Sequence, residues 1–384
     1  MNDRQRCRAV LTYQPYDHLP VVHFGFWPDT LQKWAAQGHL THEEARTWAD
    51  GNPTDAAISA KLGFDFNYYA CYHPHTRLKP AFESRVVREF SDGSRHVLDS
   101  NGAIVLQIPG AQGIPAEIDH LFKGRKEWDE EYKPRFQFDT ERVTKAWVRV
   151  NDVMLPFDDG GLDFLRRDDR DYYYGLHCGS LYGQIRDFMG VENSCYLQAD
   201  DEELFDELIE TVGDLCYQCT KAALESGAKF DFAHFWEDIC FKNGPLISPA
   251  VFAEKLGPQY KRITDLVKSY GIEIISLDCD GLIDALIPTW LANGVNTMFP
   301  IEVGTWNASI APWRARYGRE IRGVGGMNKV VFAYDRAAID AEVERLKPLV
   351  ELGGFIPCPD HRIAPDAEWD NVRYYCDRLH AVLG

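Results

Sequence analysis

At 384 residues, with 45% apolar and 13% aromatic side chains, the chain has material for a large core and length for two domains or one large α/β barrel. Its formal charge of −18 excludes the basic surface that nucleic acid or an anionic membrane face requires. No apolar run approaches the roughly 18 residues of a membrane span. The opening MNDRQRCRAVLTYQPYDHLP has no apolar signal-peptide core, so a cytoplasmic location is expected. The ten cysteines follow no framework of spacings, which in that compartment means reduced thiols. Cys216 and Cys219 lie in a helical pattern without a second pair, so buried helix cysteines are expected in place of a zinc or redox motif.

In chain order, residues 3–12 pattern as a helix, and LPVVHFGF (19–26) as a first strand with His23 and Trp27 near its end. Residues 30–62 pattern as helices broken at Gly38 and at 51–53, with Thr41 and Thr54 as N-caps, before a second strand FDFNYYA (64–70). Between 83 and 107, SRVVREF, SRHVLDS and AIVLQI are separated by Asp-Gly and Asn-Gly turns, the signature of antiparallel hairpins. Residues 115–171 are charged and mixed, with a helix expected near 140–153 and an acidic loop that reads as a solvated face. From Tyr172 onward, strands at 172–177, 230–236, 272–277, 295–299, 320–325 and 354–357 alternate with helical patterns that include 201–226, 249–269 and 335–352. With the two early strands this makes eight. The expectation is an α/β fold of (β/α)8 TIM-barrel type over 1–384 as a single domain, with an antiparallel hairpin insertion at about 83–171 after the second strand.

Polar residues collect where these strands end: His23, Tyr69, His177, Glu237, Asp238, Asp278, Asp280, Glu302, Asn328, Lys329, Asp360 and His361. Barrels carry their active sites at that end, although helix caps gather there too. The run IISLDCDG (274–281) is central. Residues i and i+2 of an extended segment face one side, so Asp278 and Asp280 share a space and need a cation, a proton or a hydrogen-bond partner. With Glu302 and His361, the pattern D-x-D-x21-E-x58-H reads as an oxygen-rich metal site with one imidazole. The competing reading has Asp280 capping a helix from Leu282, Asp278 accepting backbone bonds, and Glu302 and His361 forming a polar pair. Glu237 and Asp238 suit acid–base work or a helix-entry pair, and His177 suits substrate protonation or a satisfied turn. His23, Trp27, Trp236 and Lys329 are the substrate-binding candidates; core packing is the alternative for the tryptophans, and a single ion pair for Lys329.

NDRQRCRAVLTYQPYDHLPVV, GSLYGQIRDFMGVEN, GGMNK and the ending GGFIPCPDHRIAPDAEWDN resemble the uroporphyrinogen decarboxylase superfamily, which also holds corrinoid-dependent methyltransferases. The resemblance covers nearly the whole chain and implies a barrel, often a homodimer, with its pocket at the carboxyl ends of the strands. In the decarboxylases an arginine-rich stretch follows the first strand; here HFGFWPDTLQKW holds no arginine, and the catalytic aspartate has no counterpart in NYYACYHPH. In the methyltransferase branch, Asp278 falls at the zinc-binding histidine, Asp280 at the first cysteine and His361 at the last, while Glu302 falls at the glutamate of cobalamin-independent methionine synthase. The positions match, yet the ligands here are harder, which suits a divalent metal (zinc first, iron or manganese next) acting as a Lewis acid. The chain lacks a DxHxxG corrinoid motif, so a corrinoid would ride on a separate partner protein. The resemblance thus implies a methyltransferase moving a methyl group from a small O- or N-methylated compound to that corrinoid. A uroporphyrinogen decarboxylase-type carboxy-lyase and a barrel that binds a small molecule without turnover are the alternatives.

Overall fold

Seven short strands pair in parallel in the order Phe355–Pro359, Arg322–Met327, Thr297–Ile301, Ile275–Asp278, Phe232–Trp236, Gly175–His177 and Cys71–Tyr72. Two more parallel strands, Val22–His23 and Phe66–Asn67, pair with each other, and an isolated parallel bridge joins Phe26 to Ile363. These elements come from a computed structural model that describes residues 1–111 and 114–383. The fold is therefore mixed α/β around a large parallel sheet. Among the described residues no helix is long and apolar enough to cross a membrane.

The strands form where the sequence gives unbroken apolar runs, because helices cover one face of the sheet and its other face is also packed. Every residue of Ile275–Asp278, Thr297–Ile301 and Phe355–Pro359 is buried. Alternate residues take opposite faces. Phe235 meets Tyr260 of the helix Gly257–Ser269 with ring centroids 5.2 Å apart, while Phe232 and His234 meet Tyr68 and Tyr69 on the other side. The longest helix, Glu202–Glu225, starts where Asp201 accepts the Leu204 N–H at 2.9 Å. It buries Leu204, Leu208, Val212, Leu215 and Cys219 at intervals of three and four, and Cys216 with them.

Some local expectations change. Thr41 caps His42–Thr47 in a reciprocal box with Glu44, as expected. Asn52, not Thr54, caps Pro53–Leu62, because Pro53 takes the first helical position and leaves Asn52 to accept the Asp55 N–H. The β-prone stretch runs further than 107: Arg85–Glu89, Arg95–Leu98, Ala103–Gln107 and Ala116–His120 form one four-stranded antiparallel sheet. The helix expected at 140–153 is confined to Glu141–Thr144. Trp147–Val150 and Val153–Pro156 pair instead as a hairpin, with Asn151 in the left-handed conformation at φ 52°. Alternating WVRV and the Asn-Asp turn outweigh the helical period there.

Candidate metal centre and pocket

Adjacent strand ends build the site. Ile275–Asp278 delivers Asp278 and continues through Cys279 and Asp280 to Gly281. Its neighbour Phe232–Trp236 sets Trp236 beside Asp278 in register and runs on into Glu237 and Asp238. One oxygen from each of Asp238, Asp278 and Asp280 lies within 4.8 Å of the other two. Asp278 and Asp280 do face one space. Asp238 joins them, so it stands among the candidate ligands and not only among the proton carriers.

The backbone holds this arrangement under strain. Asp238 sits at φ 49°, a left-handed conformation costing on the order of 1–3 kcal/mol outside glycine, and its Oδ1 accepts the Asp280 N–H at 3.1 Å. Gly281 is at φ 86°, where an added Cβ would lie 2.4 Å from the Cys240 carbonyl oxygen. The helix foreseen from Leu282 begins only at Ile287, so Asp280 is free of a capping role.

Burial and the repulsion of neighbouring carboxylates favour the protonated acids. Asp238 is raised to about 7 by desolvation and by Asp280. Asp280 is raised to about 6, by desolvation first, with Lys329 opposing. Desolvation and the two other aspartates push Asp278 well above the carboxylate range. The Asp280 Oδ1 is buried without a hydrogen-bond partner among the described residues.

Glu302 and His361 lie beside this group and not within it. Glu302 Oε2 accepts the Gly281 N–H at 2.5 Å and Oε1 accepts the Thr305 hydroxyl at 2.9 Å. The glutamate thus satisfies a buried backbone donor of the turn beside the three aspartates. His361 Nε2 lies 3.1 Å from Asp280 Oδ2, and its ring stacks on Trp27 at 5.7 Å. Desolvation lowers His361 to about 4, leaving it neutral at pH 7. Lys329 is half-buried, and its ammonium forms no ion pair among the described residues.

Two expected residues serve the scaffold. Glu237 is fully buried and accepts the backbone N–H groups of Leu181, Tyr182 and Gly183 at 2.7–2.9 Å and the Tyr260 hydroxyl at 2.5 Å. With its oxygens so occupied, it anchors the turn entering Gly183–Met189. His23 is fully buried, its Nε2 2.7 Å from Ser59 Oγ and its Nδ1 accepting the Gly25 N–H at 2.9 Å. Both nitrogens have partners in the core.

Beside the carboxylates opens a cavity of about 360 Å³ lined by Tyr69, His73, Thr76, Arg77, His177 and Trp236, with Pro74 and His75. His177 accepts the Gly179 N–H on Nδ1 at 3.0 Å and stacks on His73 with centroids 4.5 Å apart. Arg77 lies over the Trp236 ring at 5.1 Å. His73 and Arg77 were not singled out from sequence; the signal was present in YHPHTR, directly after the second strand.

Among solved structures, the fold is similar to a methyltransferase from Methanosarcina mazei at 15% identity over 100% of both chains, with a TM-score of 0.60. A B12-independent methionine synthase from a Shewanella species, solved in complex with selenomethionine, aligns at 11% identity over 95% of this chain and 96% of that one, with a TM-score of 0.43. No curated protein matches the sequence. The sequence profile described as Uroporphyrinogen decarboxylase (URO-D) matches residues 184–382, which include Asp238, Asp278, Asp280 and His361. Over half the chain, then, strand ends and carboxylates included, follows one family pattern, and the chain belongs to the uroporphyrinogen decarboxylase (URO-D) family.

Proposed function

We propose that the parallel strands close into one (β/α)8 barrel over 1–384, with the antiparallel sheet as an insertion after the second strand, and that the chain is a metal-assisted methyltransferase. The Phe26–Ile363 bridge, which ties the first strand segment to the chain just beyond the last, supports closure. The cluster of Asp238, Asp278 and Asp280 carries the functional reading. Three desolvated carboxylates, one with an oxygen that has no hydrogen-bond partner among the described residues, fit a divalent cation. These three would hold it, with His361 beside Asp280, and an oxygen-rich set suits zinc, manganese or iron(II). Such an ion supplies Lewis acidity at the ether or amine of an O- or N-methylated substrate. Asp238 and Asp280 hold or release protons as the ion binds, Trp27 fixes the His361 ring, and Trp236 walls the substrate side. The methyl acceptor in this reading is a corrinoid on a separate protein, and the working unit is a cytoplasmic homodimer. The fold likeness to a methyltransferase agrees with it.

One observation favours a second reading. Asp238, raised to about 7, is a competent proton donor at neutral pH, as a carboxy-lyase requires when carbon dioxide leaves. The deciding experiment is elemental analysis of untagged protein beside Asp278→Ala, followed by incubation with methoxylated or methylamine donors and reduced free cobalamin. About one metal per chain, absent from the variant, with methylcobalamin formed only by the loaded protein, is the expected result. No metal after exposure to zinc, manganese and iron(II) refutes the assignment, and carbon dioxide release without methyl transfer selects the lyase.

A further inference from the structure

The chain carries 59 acidic against 41 basic residues, yet the lining of the 360 Å³ cavity contains no carboxylate. What converges there are donors: the Arg77 guanidinium, the imidazoles of His73 and His177, the Thr76 hydroxyl and the Tyr69 phenol. Arg77 pairs with Asp187 at 3.1 Å, but that aspartate also serves Arg186 at 3.0 Å, so two guanidiniums share one carboxylate around Trp236. Arg77 remains half exposed, with donors to spare. His234 lies behind the pocket against Tyr69 and His177, fully buried, with neither ring nitrogen hydrogen-bonded among the described residues. Burial keeps the imidazoles neutral: His73 is lowered to about 4, His234 to about 3, and His177 well below its usual range.

We infer that this cavity is the subsite for the carboxylate end of a small planar substrate, with Arg77, His73 and His177 reading the carboxylate and Trp236 and Tyr69 flanking the ring. The inference deepens the reading above, because it places the substrate's charged end in the donor-lined pocket and its reacting end toward Asp238, Asp278 and Asp280. Position supports it: Trp236 is in register with Asp278, and Tyr69 feels the Asp278 charge while touching the His234 ring at 5.0 Å. Size supports it as well, since a cavity near the small end of the ligand-site range accepts a single ring and excludes a tetrapyrrole.

The test is calorimetric titration of metal-free full-length protein with benzoate, acetate and benzyl alcohol, repeated on Arg77→Gln and His73→Asn. Benzoate is expected to bind more tightly than either fragment. Arg77→Gln is expected to weaken benzoate roughly tenfold or more while leaving benzyl alcohol unchanged. Thermal unfolding of each variant confirms that it folds. Equal binding of benzoate and benzyl alcohol, no benzoate binding, or benzoate binding indifferent to Arg77→Gln overturns the inference. Since no metal is used, that failure is separate from a failure of the metal assignment, which elemental analysis reads alone.

Discussion

Replacing Asp280 by Asn separates a metal ligand from a structural acid, because the two roles predict opposite changes in stability. In the metal-free protein the Asp280 pKa is raised from 3.8 to about 6. The folded state therefore holds this proton more tightly than the unfolded chain does. The associated stability is fully present below about pH 4 and is lost as pH rises through 6. A tenfold change in proton affinity is about 1.4 kcal/mol, so the full loss is about 3 kcal/mol, and partial exposure of the side chain reduces it to about 2. Asn keeps the shape without the charge. Metal-free Asp280→Asn is expected to unfold about 2 kcal/mol harder than wild type at pH 8, a rise of roughly 2–3 °C for a chain of this length, and to match it near pH 4. Saturating manganese or zinc at pH 8 should reverse the order, stabilising wild type through binding and the variant far less. Differential scanning calorimetry at the two pH values, with and without the ion, provides the readings. A variant less stable than wild type without metal at pH 8, or equally stabilised by the ion, refutes the reasoning.

Three further outcomes follow from the same geometry. Glu237→Gln should cost about 2–4 kcal/mol in urea unfolding, since one carboxylate serves three backbone N–H groups and a phenol, yet leave metal content unchanged; lost metal would place Glu237 in the site after all. Asp231→Ala leaves the buried Arg170, paired at 2.9 Å, and Arg4, paired at 2.6 Å, to share Asp168 alone, and should cost about 3 kcal/mol by the same measure; a loss under about 1 kcal/mol would show that Asp168 and water suffice for both guanidiniums. His234 titrates near 3 in the fold against 6.5 unfolded, so the unfolded chain takes the proton first and stability falls as pH drops below 6.5. His234→Phe should remove about 2 kcal/mol of the loss between pH 7 and 5, and an unchanged slope would mean that the ring is already protonated or hydrated.

Much of the scaffold was legible because its signals are local. Apolar runs bounded by glycine and polar residues located the parallel strands, and the i, i+2 spacing placed Asp278 and Asp280 in one space. Partner choice was harder, since it depends on where backbone donors fall. That Glu302 accepts the Gly281 N–H depends on a turn the sequence pattern does not show. Glu237 and Asp238 are neighbours in sequence with opposite fates: the left-handed turn at Asp238 sends one carboxylate to the cluster, while the other faces the start of the earlier helix Gly183–Met189. A dihedral of that kind leaves no trace in composition or periodicity. The hairpin at 147–156 was lost for a different reason, because four-residue strands give too short a window for period two to outweigh a helical reading of their flanks.

The charge pattern at the strand ends constrains chemistry more than either half does alone. Three carboxylates within 4.8 Å repel any anion unless a cation or protons offset them, whereas the adjoining cavity offers a guanidinium, imidazoles and hydroxyls but no acid. A substrate carrying carboxylates on every side would place some of them against Asp278. One with a single carboxylate can seat that end by Arg77 and present its neutral end to the cluster. The arrangement thus selects for asymmetry in the substrate: one charged end, one reacting end, and a flat body short enough to lie beside Trp236.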